Sequence, residues 1–327
     1  MKRFARGARL TSLLVGLFLL WGSGVGFAQE PFRVNFARLS FPSHVAMITD
    51  IIKAQGLDRK NGLDLDLKSF GAVSAFYAAQ ATGEVQGGIG GPLVYQKMRL
   101  EGAPIKAIAT LVDMTSMVVI ARDPKIQSFG DLKGKTIAAD MASSEYQVLT
   151  VYAKNKGIVL GRDITVVQVS PPLARTQLAA DRVSAAMTWE PTATLTMRDN
   201  PAYRIIFHAR QAWREITGKD GWLLVLGAHE EFIRKNPDVI PRLVATFQDG
   251  ARFMRSNPDE ADRVISQSLN LPPGAFKEMV ITPRVVFDVR PTSDAAARDS
   301  IWEVIKVAIG EGFFKQPVPD QSILYAP

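Results

Sequence analysis

The chain contains no cysteine. That excludes disulfides, thiolate nucleophiles, cysteine-bound metals and the lipidated cysteine that tethers some exported proteins. Histidine is nearly as scarce: His44, His208 and His229 are widely separated, with no second histidine at metal-ligand spacing. No metal site and no cofactor is therefore expected. The sequence has no G-x-S-x-G elbow, and Gly87, Gly88, Gly90 and Gly91 do not run on into a phosphate-cradling lysine. No basic run follows Arg9, which sets nucleic-acid binding aside. Beyond Trp21 no apolar run approaches the roughly 20 residues that a membrane-spanning helix needs.

What is present begins with an export pattern. Lys2, Arg3, Arg6 and Arg9 precede an apolar run from Leu10 to Trp21, and small residues lead to Gly26, Phe27 and Ala28. This is the order of a secretory signal, with cleavage expected after Ala28. The run is short and glycine-flanked for a permanent anchor, so residues 1–28 are read as removed. Of the 39 basic residues, four fall in this segment, leaving 35 against 32 acids; the formal charge of +7 becomes +3. The expected product is a soluble, monomeric periplasmic protein without a lipid anchor, of 299 residues, ample for two lobes.

From Arg33 onward short β-rich runs alternate with helical ones, the pattern of largely parallel sheets covered by helices. Strands are expected at Arg33–Arg38, Leu63–Phe70, Val85–Gly90 and Ile105–Val112, then, after a crossover strand Ser116–Arg122, at Thr136–Asp140, Ile164–Val169, Ser184–Trp189 and Arg204–His208. Helices are expected at His44–Lys53, Ser74–Thr82, Leu93–Leu100, Glu145–Asn155 and Leu173–Ala180. The apolar run Gly221–Ala228 suggests a chain that leaves one lobe and returns to it. The last hundred residues read as helical. Asn236-Pro237-Asp238 and Asn257-Pro258-Asp259 each suggest a capping side chain before a proline at the first helical position. Ile240, Leu243, Val244, Phe247, Ala251 and Met254 recur at helical spacing as a core stripe, as do Ile301, Ile305 and Ala308 in a final helix Ser300–Ile309.

The segment Ser128–Ala138 (SFGDLKGKTIA) reads as one clipped turn feeding a buried strand: Ser128 as N-cap, Asp131 in the first turn, Gly134 ending it in a left-handed conformation. Together with Ser143-Ser144-x-Tyr146, TWEP at Thr188–Pro191, NPDEA at Asn257–Ala261 and FDVRPTSD at Phe287–Asp294, it resembles type II periplasmic solute-binding proteins. The branch in question serves ABC importers of aliphatic sulfonates, taurine, nitrate and thiamine-type pyrimidines. The similarity runs from about Val34 to Pro319 at the level of pattern. It implies an α/β fold of two lobes joined by two hinge crossovers near Val118 and Leu224. Residues 29–117 with 226–327 would form the first lobe and 118–225 the second.

The resemblance further implies one small solute held between the lobes, delivered to a membrane permease and ATPase. Open α/β sheets also place ligands at the carboxyl ends of strands, where helix N-termini present free N–H groups. The candidate ligand-binding residues are Ser40, Phe41 and His44; Gly71 and Ser74; Gly91 and Pro92, after Gly90; Ser143, Ser144 and Tyr146; and Trp189 and Glu190. The serine hydroxyls suit a sulfonate, nitrate or carboxylate, although Met141 and Ala142 stand where many relatives have glycine. Trp189 suits a cleft wall or a core position. Glu190 suits a ligand amine or pyrimidine amino group and repels an anion. The expected activity is thus capture of a small anionic or zwitterionic solute, with a pyrimidine as the alternative. An exported enzyme or sensor on the same scaffold is the other class. A related pyrimidine-synthesising protein uses a histidine and a cysteine-rich motif, which a chain without cysteine cannot reproduce, and Glu190 alone is thin support for acid–base chemistry.

Overall fold

The computed structural model describes residues 30–326; the expected signal segment lies outside them. Ten strands form: β1 (Phe32–Leu39), β2 (Leu63–Phe70), β3 (Gly87–Gly90), β4 (Ile105–Asp113), β5 (Met117–Ala121), β6 (Thr136–Ala139), β7 (Thr165–Gln168), β8 (Ala185–Trp189), β9 (Arg204–His208) and β10 (Trp222–His229). They make two five-stranded sheets, ordered β2-β1-β3-β10-β4 and β7-β6-β8-β5-β9. Helices between the strands complete two α/β lobes.

The strand patterns explain their places. In β1 and β2 the buried side chains largely alternate with more exposed ones, and the two pair in parallel along their full length, Phe32 opposite Leu63 to Leu39 opposite Phe70. In β5 (MVVIA), β8 (AAMTW) and most of β10 (WLLVLGAH) every residue is buried, as the near-continuous apolar runs require of strands covered on both faces. The pairing is parallel for β1 with β2 and β3 and for β6 with β7 and β8. β10 runs antiparallel to β3 and β4, and β5 antiparallel to β8 and β9. Both reversed strands follow a passage from one sheet to the other.

The two passages lie side by side. The first is a single 3₁₀ turn, Met114–Ser116, between β4 and β5; the second carries the helix Ala209–Thr217 before β10. The Met114 N–H donates to the Gly221 carbonyl at 3.2 Å. Arg210 donates twice to Asp220, at 2.9 Å each, and its guanidinium stands 3.8 Å from the Asp113 carboxylate of the first passage.

The clipped turn forms as a 3₁₀ helix, Phe129–Leu132, directly before β6. One oxygen of Asp131 accepts from the Gln127 and Ser128 N–H groups at 3.0 and 2.9 Å, which holds this carboxyl below its usual range. Gly134 follows at φ +75°, a conformation that costs glycine little. The helices Val239–Ser256 and Pro258–Leu269 pack against His44–Ala54 in the first lobe. The anticipated stripe from Ile240 to Met254 is buried.

One helix start needs correction. Pro237 does not begin a helix; the helix starts at Val239, and the Asn236 side chain donates back to the Phe232 carbonyl at 3.1 Å, closing the preceding helix. Pro258 does occupy the first turn of its helix, yet Asn257 makes no side-chain cap and instead donates to the Phe253 carbonyl at 3.4 Å. In both places the asparagine side chain bonds back to the helix behind it.

Candidate functional site

The carboxyl ends of β1 and β3 in the first sheet face those of β6 and β8 in the second, and one cavity is lined from both lobes. The first lobe contributes Ser43, His44 and Tyr77, among apolar residues such as Val73, Phe76 and Leu224; the second contributes Ser143, Ser144, Glu145 and Trp189. Its volume is about 20 Å³, enough for one water-sized group. Across it the Tyr77 hydroxyl and Ser144 Oγ share a hydrogen bond at 2.6 Å. Beside that bond a Cβ on Gly91 would lie 2.5 Å from Ser144 Cβ, so only glycine lets the lobes approach this closely.

All of the polar side chains but Tyr77, which lies mid-helix in Val73–Thr82, are placed by helix starts. Ser43 caps His44–Ala54, its Oγ accepting from the Ala46 N–H at 3.2 Å, which fixes His44 as the first helical residue. Ser143 caps Ser144–Asn155, its Oγ accepting from the Tyr146 N–H at 3.0 Å and donating to the Asp140 carbonyl at 2.7 Å. Glu145 falls in that first turn, where a carboxylate is favoured by the helix dipole.

His44 Nδ1 and Glu145 Oε1 face each other across the lobes at 3.9 Å, both groups buried. Burial drives His44 down to about 3, so its imidazole is neutral at physiological pH. Burial pushes the Glu145 carboxyl up to about 7; its own backbone N–H opposes the rise and Asp140 adds to it. At neutral pH the contact joins a neutral ring to a carboxyl held well above its usual range. His44 Nε2 is buried and makes no hydrogen bond, an arrangement that costs free energy. Among the described residues, the lining includes no lysine or arginine.

Of the residues anticipated from sequence, the structure brings His44, Ser143, Ser144 and Trp189 together on this cavity, with Gly91 against Ser144. Trp189 is both wall and core, only 2% exposed. Pro92 is buried as the first residue of the next helix, behind Gly91. Ser40 and Gly71 are exposed neighbours at the ends of β1 and β2, and Ser74 is exposed on its helix. Phe41 and Tyr146 are half-buried against the core. Glu190 is buried but not in the lining: its Oε2 accepts from the Thr194 N–H at 2.9 Å, and burial raises it to about 7.

Ser43, Tyr77 and Glu145 are lining residues that sequence reasoning passed over. Tyr77 was accessible through periodicity, since Val73, Phe76, Tyr77 and Gln80 are spaced to share one helical face. Glu145 reads in sequence as an ordinary acidic residue in a first helical turn, and nothing local marks it as buried.

A family model described as NMT1/THI5 like matches residues 42–261. A Brucella abortus (strain 2308) protein, named only as a binding protein, is 24% identical over 264 residues, covering 80% of this chain and 79% of its own. The periplasmic aliphatic sulphonate binding protein SsuA from Escherichia coli superposes with a TM-score of 0.72 at 16% identity, over 91% of this chain and 93% of that one. The alkanesulfonate-binding protein SsuA from Xanthomonas axonopodis pv. citri, bound to MOPS, gives a TM-score of 0.72 at 17% identity, over 90% and 97%. A Candida albicans product described as having the generic periplasmic binding protein fold gives 0.64 at 19%, over 89% and 93%. At these identities the structural likeness is one of fold: two lobes in the periplasmic binding protein arrangement.

Proposed function

Since the chain belongs to the NMT1/THI5-like family, we propose that it is the extracytoplasmic solute-binding component of an ABC import system, closing its two lobes on one small organic solute and passing it on unaltered. The observation that carries this reading is a cavity lined from both lobes, with hydroxyls, an imidazole and a carboxyl gathered at strand ends. Ligand pockets of small-molecule sites usually span a few hundred Å³. A cavity of about 20 Å³ therefore requires the lobes to part before a solute enters, by rotation about the paired crossovers at 114–116 and 209–221.

The named solutes of relatives support a small sulfonate, and the expected range extends to taurine, nitrate and a pyrimidine. A permease and an ATPase are the corresponding partners, and the location is the periplasm. Among the described residues no helix is long and apolar enough to cross a membrane. The test is thermal stabilisation of the purified chain by a panel of sulfonates, taurine, nitrate, aminopyrimidines and aromatic acids. A bound solute raises the melting temperature by mass action and is recovered unchanged. Turnover of any panel member, or stabilisation that survives Ser144→Ala with Tyr77→Phe undiminished, contradicts the reading.

A further inference from the structure

We propose that the first lobe carries a second binding site, away from the cleft, for a free single-chain amphiphile with an oxyanion head, such as an alkyl carboxylate. Its chain lies in an apolar groove and its head meets Arg255 and Arg252. The site is independent of the solute-binding reading above.

The groove runs between the helix Val239–Ser256 and the extended segment 287–293. That segment is held to β4, the edge strand of the first sheet: the Asp288 N–H donates to the Leu111 carbonyl at 2.9 Å, and the Arg290 carbonyl accepts from the Thr110 N–H at 3.0 Å. Gln248 ties the helix to the segment, its amide donating to the Val289 carbonyl at 3.2 Å. Toward the start of the helix the walls enclose a cavity of about 640 Å³, within the usual range of small-molecule sites. Ile108, Ile240 and Val244 line it, each no more than 5% exposed, and no residue of the second lobe takes part. No charged side chain lines this cavity, so it suits an uncharged chain whose transfer from water is favourable.

Charge enters further along the same side of the helix. Val244, Gln248, Arg252 and Arg255 are spaced to share one face. Gln248 lines both the large cavity and an adjoining depression of about 210 Å³ that holds Arg252 and Arg255. From Ile240 to Arg255 the helix rises roughly 22 Å, room for a chain and its head in line. Arg255 is exposed and makes no ion pair among the described residues, and Arg252 meets Asp249 at 3.1 Å with its side chain 62% exposed. The carboxylates nearby are already matched: Arg290 donates to Asp288 at 2.9 Å, and Lys60 to Asp249 at 2.9 Å. The charge left unspent is a guanidinium, which complements a carboxylate or similar oxyanion. The source is a free amphiphile and not a bilayer. The cavity's aliphatic side chains are recessed, and none of the large exposed hydrophobic side chains lines the groove, so nothing here inserts into a membrane surface.

Calorimetry on the purified chain tests this with octanoate, decanoate and dodecanoate below their micellar concentrations, and with decanol and decyltrimethylammonium as uncharged and cationic controls. The expected result is one carboxylate per chain, tightening about fourfold for each added methylene, with both controls about fivefold weaker than decanoate. Arg255→Glu, at an exposed position, should weaken decanoate about fivefold and leave decanol unchanged. Ser293→Trp, on the exposed rim of the cavity, should abolish binding of all of them, while Ser144→Ala with Tyr77→Phe should leave it intact. Absence of binding, controls that bind as tightly as decanoate, or binding lost in the Ser144 and Tyr77 variant and kept in Ser293→Trp overturns the proposal, the last by moving the chain into the cleft. Capture by anionic phospholipid vesicles without binding of free decanoate, or a dimer in sedimentation that Ser293→Trp disperses, overturns it in favour of a membrane or a second copy. Circular dichroism shows whether each variant is folded, and the Arg255→Glu comparison stands without Ser293→Trp.

Discussion

Two loops of the second lobe each bury a glutamate, and the two glutamates serve different ends. Glu190 follows β8 and turns inward, accepting from the Thr194 N–H; Arg284 of the first lobe reaches the same Thr194, its hydroxyl, at 3.1 Å. Glu145 follows β6 and turns across the gap toward His44. Burial lifts both carboxyls to about 7, so titration alone does not tell them apart. What distinguishes them is the company they keep: one accepts from the Thr194 N–H close by in sequence, the other lines a cavity shared by two lobes, with the His44 imidazole Nδ1 3.9 Å away. A buried ionisable group therefore marks a site only when its neighbours leave hydrogen-bonding capacity unused.

The largest expected effect joins the two loops. Trp189 ends β8 beside Glu190 yet lines the cavity of Glu145. Trp189→Ala should cost about 3–5 kcal/mol of stability, read as a lower denaturation midpoint, and should also remove solute-induced stabilisation. A loss of stability with binding intact would separate the loops and remove Trp189 from the site.

Next come the glutamates themselves. A carboxyl raised from 4.5 to about 7 contributes stability that is fully present below pH 4.5 and is lost as pH rises through about 7. Glu145→Gln and Glu190→Gln should each flatten that decline, by up to roughly 3 kcal/mol across the window. His44, lowered from 6.5 to about 3, acts oppositely, its contribution present above pH 6.5 and lost as pH falls through about 3. Denaturation curves at pH 4, 6 and 8 measure all three. The comparison sharpens if only Glu145→Gln also alters solute preference, and it breaks if Glu190→Gln does so equally.

Smaller is the hydrogen bond joining the lobes. Tyr77→Phe and Ser144→Ala in a double-mutant cycle should show a coupling of about 1 kcal/mol; additive effects would mean the two hydroxyls do not act as a pair. Smallest is the outer contact, where Arg198 of the second lobe donates to Glu278 of the first at 2.6 and 2.9 Å with both side chains about one-third exposed. Arg198→Ala should cost less than about 1 kcal/mol and nothing measurable at high salt. A larger, salt-resistant loss would place the main latch outside the cavity.

Much of the architecture was legible in sequence because it is periodic. Leu63–Phe70 and Arg204–His208 form strands with the bounds their patterns suggest, and the apolar run after Gly221 becomes the strand that returns the chain to the first sheet. The site was legible only in part. Serines before a helix announced Ser143 and Ser144, because capping chemistry is local. Ser74 drew attention as a hydroxyl after a strand, whereas the face of its helix that meets the second lobe carries Tyr77. Glu145 and Glu190 look alike in sequence, since what a carboxyl faces depends on how two lobes meet, and that is set by contacts between residues a hundred positions apart.

The most direct test of the central claim is the distance between the lobes. The chain has no cysteine of its own, so spin labels at Ala75→Cys on the first lobe and Leu173→Cys on the second, both exposed positions, report on lobe separation alone. Pulsed dipolar spectroscopy should show a broad distribution that shortens and narrows when a binding solute is added, and that no longer responds in Ser144→Ala with Tyr77→Phe. A distribution that stays the same while calorimetry shows the solute bound would contradict closure of two lobes on one small molecule.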